Sequence, residues 1–135
     1  MPIYDVAFKD MKLIDSTMLL PISMKGFKKA NTIEEFPNGW VKDWDAEEVY
    51  FKFSLSFKNL FIIYKEANNK SEGSISISID GKKAGIYSGY RIFGWNNPVA
   101  KLVYSEKIYK EHIIEITMIQ GDEKKDFTIL AFGYC

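Results

Sequence analysis

Few side chains in this sequence are equipped to break a bond. A serine-type hydrolase needs a nucleophile held against a base, normally histidine. The 135 residues contain one histidine, His112, in Lys110-Glu111-His112-Ile113-Ile114-Glu115-Ile116. It stands at the mouth of an expected strand, without a Gly-x-Ser-x-Gly elbow or a Gly-Asp-Ser block. We read it as a structural residue, with contact to a ligand as the alternative. The single cysteine, Cys135, ends the chain, whereas a catalytic thiol needs a partner base and a built pocket. Glu34-Glu35 and Glu47-Glu48 are adjacent pairs. On a strand each pair splits across two faces, but glycoside hydrolysis needs two carboxyls facing one cleft. Asp43 and Asp45 flank Trp44. With backbone oxygens they would make a structural calcium site at most, since no EF-hand spacing is present. The expectation is a chain with no catalytic residues, no metal-ligand set and no cofactor beyond that calcium.

The aromatic residues say more. Two segments mix rings with Gly, Asn and Pro: Phe36-Pro37-Asn38-Gly39-Trp40-Val41-Lys42-Asp43-Trp44, and Tyr87-Ser88-Gly89-Tyr90-Arg91-Ile92-Phe93-Gly94-Trp95-Asn96-Asn97-Pro98. Exposed indole and phenol rings offer flat apolar area with a polar handle. Amides beside them both donate and accept hydrogen bonds. A sugar presents an apolar C–H face and a rim of hydroxyls, so rings beside amides match it chemically. The candidate ligand-binding residues are Trp95, Asn96, Asn97, Tyr90, Arg91, Trp40 and Trp44. The alternative is that these rings pack beneath long loops as satellite cores. Arg91, the only arginine, would orient a carboxylate or a pair of hydroxyls, or else pair with a surface acid.

The elements that position these residues read as strands. In 49–58, Val49, Phe51, Phe53, Leu55 and Phe57 alternate with Tyr50, Lys52, Ser54, Ser56 and Lys58, the period of a half-buried strand. Leu60 to Tyr64 is apolar on both sides, as a central strand would be. Ile75, Ile77 and Ile79 alternate with serines across 73–80. Asp80-Gly81 then predicts a type I′ hairpin turn, with 83–87 as the return strand. Segments 112–119 and 127–134 are expected to form a second hairpin. Strands are also expected over 4–8 and 22–27, with 11–20 ambiguous. A short helical turn is expected over 31–36, capped by Asn31. Segments 28–46 and 88–100 read as long irregular connections. No sustained 3.6-residue stripe occurs. Eight or nine short strands in a single domain, 1–135, point to an all-β antiparallel sandwich of jelly-roll type.

Composition narrows the partners. Apolar residues make up 47% of the chain, enough for a real core. Basic and acidic residues number 18 each, so no whole-molecule field draws in a polyanion. Almost every basic residue is lysine, so the bidentate base contacts that arginine favours are nearly unavailable. Nucleic acid is therefore not an expected partner. No run of 18 apolar residues spans a membrane, and no signal-peptide pattern opens the chain. Localisation stays unknown at this level.

Several of these segments, taken in order, carry a resemblance. They are Phe36-Pro37-Asn38-Gly39-Trp40, Tyr50-Phe51-Lys52-Phe53, Leu60-Phe61-Ile62-Ile63-Tyr64-Lys65, Ser78-Ile79-Asp80-Gly81-Lys82-Lys83, Gly94-Trp95-Asn96-Asn97-Pro98, Glu111-His112-Ile113-Ile114-Glu115-Ile116 and Phe127-Thr128-Ile129-Leu130-Ala131-Phe132-Gly133-Tyr134. Together they resemble the β-sandwich accessory domain attached to SGNH/GDSL-type acylhydrolases (lipase- or esterase-like) of low-GC bacteria. The resemblance implies a galactose-binding-like jelly roll, either excised from or related to a larger hydrolase. It implies a non-catalytic accessory role in binding carbohydrate or positioning substrate. The partners it implies are a carbohydrate or glycan ester and a catalytic hydrolase domain. The nucleophile and Asp-x-x-His blocks of the acylhydrolases match no position here. The alternative role is a structural domain that packs on the catalytic domain or on its own copy, with Tyr50 and Leu60 to Tyr64 as the face.

Overall fold

The computed structural model describes residues 11–42, 46, 48–92 and 94–135. Nine strands form: β1 (Lys12–Ile14), β2 (Ser23–Lys25), β3 (Phe27–Ala30), β4 (Gly39–Lys42), β5 (Tyr50–Ala67), β6 (Ser74–Ile79), β7 (Lys82–Ser88), β8 (Trp95–Met118) and β9 (Thr128–Tyr134). All the strand pairings are antiparallel. No helix of the described chain is long and apolar enough to cross a membrane. The expected strand over 4–8 lies outside the described residues.

Two long strands, β5 and β8, pair along nearly their whole length and belong to both layers of a sandwich. The first layer runs β3, β4, β9, the second half of β5 and the first half of β8, with β1 also on β9. The second runs β2, the first half of β5, the second half of β8, β6 and β7. The changeover occurs at register shifts between Phe57 and Asn59 and between Leu60 and Phe61. Bulges of this kind bend a strand and sharpen its twist. The chain end holds the bend: Lys58 N and Asn59 N both donate to the Cys135 carbonyl, at 2.6 and 3.0 Å.

The alternation in β5 sets the core. Phe51, Phe53 and Phe57 are fully buried from the second layer. They meet rings of the first: Phe53 lies 4.8 Å from Phe132, and Phe51 lies 5.2 Å from Trp40, centre to centre. Each such buried ring contributes about 1.5–3 kcal/mol by leaving water. Leu60 to Tyr64 is buried on both sides, as its composition implies. A second small cluster explains the outer side: Ile63, Leu130 and Ala131 are roofed by Ile33 and Phe36. The face expected to meet a partner along Leu60 to Tyr64 is therefore already covered by the chain's own 33–36 turn.

The strand boundaries depart from the sequence reading in ways that matter. Segments 49–58 and 60–64 are one bent strand. Segment 28–46 holds β3 and β4, and the expected irregular stretch 88–100 already contains the start of β8. The expected helical turn over 31–36 is a tight turn closed by Phe36 N donating to Ile33 O at 3.1 Å. Segments 112–119 and 127–134 do not form a hairpin. β8 ends in one layer beside β6, and β9 lies in the other beside β5. The Asp80-Gly81 turn is as expected, with φ of 53° and 83°.

Gly26 divides the expected strand 22–27 into β2 and β3, which belong to different layers. Its φ is +77°, and a Cβ there would lie 2.7 Å from the Glu48 carbonyl oxygen. Both the backbone conformation and the space demand glycine. Gly26→Ala is expected to destabilise the fold by about 1–3 kcal/mol, read as a lowered midpoint in urea unfolding.

Candidate functional site

Three connections meet at one end of the sandwich: 68–73 between β5 and β6, 89–94 between β7 and β8, and 119–127 between β8 and β9. Backbone bonds lace them together. Ala67 N donates to Gly89 O at 2.9 Å, Asn68 N to Gly94 O at 3.1 Å, and Arg91 N to Ala67 O at 3.1 Å. Gly89 N donates to Gly73 O at 2.9 Å, and Gly73 N to Asp126 O at 2.8 Å. Gly94 lets the chain pass close against β5, since a Cβ there would stand 3.0 Å from the Ala67 backbone. Loops tied this tightly form a preorganised surface.

Trp95 opens β8 at this end. It pairs with Ala67, yet 80% of its surface is exposed. It lines a concavity of about 390 Å3 with Ala67, Asn68, Asn69, Gly94 and Asn96. Asn97 turns back, and its Oδ1 accepts a bond from Trp95 N at 3.0 Å. Asn96 adopts a φ of +58°, a conformation that asparagine tolerates better than most residues. Asn97 thus fixes the tryptophan backbone, while Asn96 joins the concavity. Asn69 Oδ1 is engaged by Ser71 N at 3.0 Å and Ser71 Oγ at 2.9 Å. The Asn68 and Asn96 side-chain amides have no protein partner among the described residues.

A second groove of about 390 Å3 holds Tyr64, Glu66, Tyr87, Tyr90, Arg91 and Lys101 among its lining residues. Arg91 Nε lies 3.4 Å from Glu66 Oε1; the glutamate is buried and the arginine half-exposed. The pair places a half-exposed guanidinium in the groove. Burial first, and then the Glu66 charge, push the Tyr64 phenol up to about 12, against the opposing pull of Arg91. Tyr64 therefore stays a neutral hydroxyl across the physiological range. A third concavity, about 370 Å3, shares Tyr90 and Ser88 and includes Lys70, Glu72, Asp122 and Lys125. Glu72 is buried against Lys65, with Oε1 3.3 Å from the ammonium and Oε2 unpartnered. Burial raises its carboxyl above the ordinary value, with Lys65 opposing.

The structure therefore brings Trp95, Asn96, Asn97, Tyr90 and Arg91 to one end. It does not bring Trp40 there. Trp40 is 1% exposed, its ring packed on Phe51 and Phe132. The expectation that Trp40 meets a ligand is overturned, because the register of β4 on β9 turns its side chain into the sandwich. Trp44, with the expected calcium pair Asp43 and Asp45, lies outside the described residues. The sequence reading missed Asn68, Asn69 and Glu66. The signal available was Glu66-Ala67-Asn68-Asn69, where an apolar strand ends in a charge and two amides.

His112 is buried, with both ring nitrogens engaged. Nδ1 lies 2.5 Å from Asp80 Oδ2 and Nε2 lies 2.6 Å from Glu106 Oε1, while the ring stacks on Phe57 at 4.6 Å. An imidazole held this way ties the β6–β7 turn to the middle of β8 and has no free nitrogen to act as a base. The Ile113 amide first, and the His112 ring second, hold the Asp80 carboxyl below its ordinary value of 3.8. A depressed carboxyl stabilises the fold above its unfolded-state pKa, and the contribution is lost as pH falls through the folded-state value. Asp80 is partly exposed, so only part of a charged hydrogen bond's usual strength applies. Asp80→Asn is expected to destabilise by about 1 kcal/mol at neutral pH. The gap to the native protein should close well below pH 3.8; urea unfolding at both pH values reads it.

Among the described residues, no group of three or more His, Cys, Asp or Glu side chains could hold a metal ion. Asp122 Oδ2 already accepts from Ser74 N at 2.9 Å, and Asp126 Oδ2 lies 3.3 Å from Ser71 Oγ. The acids at this end serve the loops.

No protein-family model matches the sequence, and no curated protein matches it. Solved structures do match in fold. One is the CBM36-1 domain of a multidomain xylanase from the hindgut metagenome of Trinervitermes trinervoides, at TM-score 0.60 and 12% identity over 93% of this chain and 96% of that one. Another is a two-domain esterase active on acetylated mannans, co-crystallised with mannopentaose, at TM-score 0.68 and 12% identity over 93% of this chain. The match spans 36% of that esterase. A third is a carbohydrate-binding module, CBM36, in complex with calcium and xylotriose, at TM-score 0.55 and 12% identity, covering 90% of this chain and 97% of that one. At these identities the likeness establishes the jelly-roll fold.

Proposed function

We propose that this chain is a non-catalytic carbohydrate-binding module that holds an esterase-type acylhydrolase against its glycan substrate. The observation that carries the reading is the four-fifths exposed Trp95 ring at the lip of a concavity furnished with unpartnered amides. An exposed indole offers a flat apolar face with a polar handle, and here unpartnered amides stand beside it. The tied loops hold it in place, so binding orders few groups and little entropy is lost. Sugar stacked on the indole would find donors and acceptors at Asn68 and Asn96. Arg91, Tyr90 and the neutral Tyr64 hydroxyl continue the polar contacts along the same end. The fold neighbours bound to xylotriose and mannopentaose suit a ligand of the same class. The buried, doubly engaged His112 suits a chain that does no acid–base chemistry of its own. Calcium belongs to the xylotriose-bound neighbour, and no described residue of this chain is assigned to it.

The test is intrinsic tryptophan fluorescence during titration with plant and bacterial polysaccharides and their oligosaccharides. Trp40 is shielded by the core and contributes a nearly constant background, so a change reports on Trp95 or Trp44, and its loss in Trp95→Ala assigns it to Trp95. A saturable change with one sugar class is the expected result. Silence across the whole panel would overturn the reading.

A further inference from the structure

The two layers diverge along one long side. The edge of one layer there is β7, the edge of the other is the first half of β8, and these strands do not pair with each other. Between them runs a groove of about 490 Å3, within the size range of small-molecule sites. Its floor is apolar, with Ile79 and Val103 buried and Ala84 and Tyr104 half-buried. Its rim carries Lys82, Lys83 and Lys110, all exposed. None of the three is ion-paired among the described residues. No residue of this groove lines the Trp95 concavity, so nothing here rests on the saccharide reading.

The charge of the groove is unbalanced. Its one lining carboxylate, Asp80, is half-exposed and feels the Lys110 charge, but its oxygens are engaged: Oδ1 accepts from Ile113 N at 2.8 Å and Oδ2 meets His112. Glu106 takes the other ring nitrogen of His112 and also accepts from the Tyr104 hydroxyl at 3.2 Å. These two acids bring a negative charge of at most two, whichever ring nitrogen of His112 carries the proton. Three ammonium groups stand against it, on a chain whose formal net charge is zero. A concave, low-dielectric wall focuses such an excess.

We propose that this groove binds a small aryl carboxylate, its anionic group met by Lys82, Lys83 and Lys110 and its ring laid on Tyr104 and Val103. A neutral ligand would leave the ammonium groups unused, and a bare anion would leave the apolar floor wet. Lysines on sheet edges also discourage edge-to-edge pairing, a role that requires no ligand and no selectivity.

Titration of isotope-labelled protein with benzoate, followed by methyl NMR, separates the two. Benzoate is expected to move the Ile79, Ala84 and Val103 methyl signals saturably. Benzyl alcohol, which keeps the ring without the charge, and acetate, which keeps the charge without the ring, should each bind about tenfold more weakly or less. Raising the salt from about 0.02 to about 0.5 M should weaken benzoate binding about threefold or more, with no mutation needed. The triple replacement Lys82→Gln, Lys83→Gln, Lys110→Gln should weaken it about tenfold with the rest of the spectrum unchanged. Equal response to benzyl alcohol would mean an apolar cleft only. Indifference to salt and to the lysine replacements, or no saturable shift, would leave the lysines as edge guards and overturn the proposal. If the triple variant aggregates, the salt series on the native chain decides.

Discussion

Trp95→Ala is expected to weaken saccharide binding about 30-fold while leaving folding stability within about 0.5 kcal/mol of the native chain. The two halves of this expectation have different causes. Removing a central aromatic anchor from a binding surface typically costs about 2 kcal/mol or more. The ring lies mostly in water when no ligand is bound, so the fold loses little with it. The backbone at this position is held by β5 pairing and by the Asn97 side-chain Oδ1, and alanine at 95 preserves both. Isothermal titration with the responsive oligosaccharide, paired with urea unfolding, reads both quantities. Unchanged affinity in a folded Trp95→Ala variant would remove Trp95 from the site. Asn97→Ala should act more weakly through the same ring, because it frees the Trp95 amide without removing the platform.

Trp40→Ala should do the reverse. Trp40 sits between the layers, its ring 5.2 Å from Phe51 and 5.7 Å from Phe132. Truncation leaves a cavity that the surrounding strands fill only in part. Losses of about 3–5 kcal/mol accompany tryptophan or phenylalanine truncations in such cores, a large share of the stability of a chain this size. Trp40→Phe keeps a ring in the gap and should lose less than half as much. At a temperature where the Trp40→Phe protein remains folded, its saccharide affinity should equal that of the native chain. A folded Trp40→Phe variant with strongly reduced affinity would return this residue to the binding site. Chemical denaturation and titration on the same samples separate the two outcomes.

The difference between these tryptophans shows how far the local pattern reaches. Asn38-Gly39-Trp40 and Gly94-Trp95-Asn96 have nearly the same local chemistry, and by sequence both look like loop aromatics. One is core and the other surface because of partners far away in the chain. Trp40 pairs in register with Ile129, and that register selects which way the indole points. Trp95 opens a strand at the end of the sandwich, where no second layer continues over it.

Other readings failed for related reasons. Over 22–27 the run is strand-like throughout, yet Gly26 sends its two parts into opposite layers. Segments 112–119 and 127–134 are both good strands with a polar connection between them, the usual appearance of a hairpin. They part because β9 is taken up by β4 and β5 in the first layer. The long β8 was hidden by Ser105-Glu106-Lys107-Ile108-Tyr109-Lys110, a polar stretch that lacks clean alternation. Its middle is an excursion of four residues between the Asn59 and Phe57 pairings, closed by the Glu106 contact to His112.

What the sequence determined by itself was therefore the set of local choices. The period-two phenylalanines of β5, the serine–isoleucine alternation of β6 and the Asp80-Gly81 turn required an antiparallel all-β fold with the rings inside. The single histidine and cysteine left little room for catalysis. These follow from side-chain direction and backbone sterics, which act over a few residues. The tertiary structure alone decided which strands share a layer, which tryptophan faces water, and that Asn68 and Asn69 lie beside Trp95. Those are matters of register and layer assignment, set by pairings between residues from 28 (Ala67 with Trp95) to 89 (Trp40 with Ile129) positions apart, and no local window contains them.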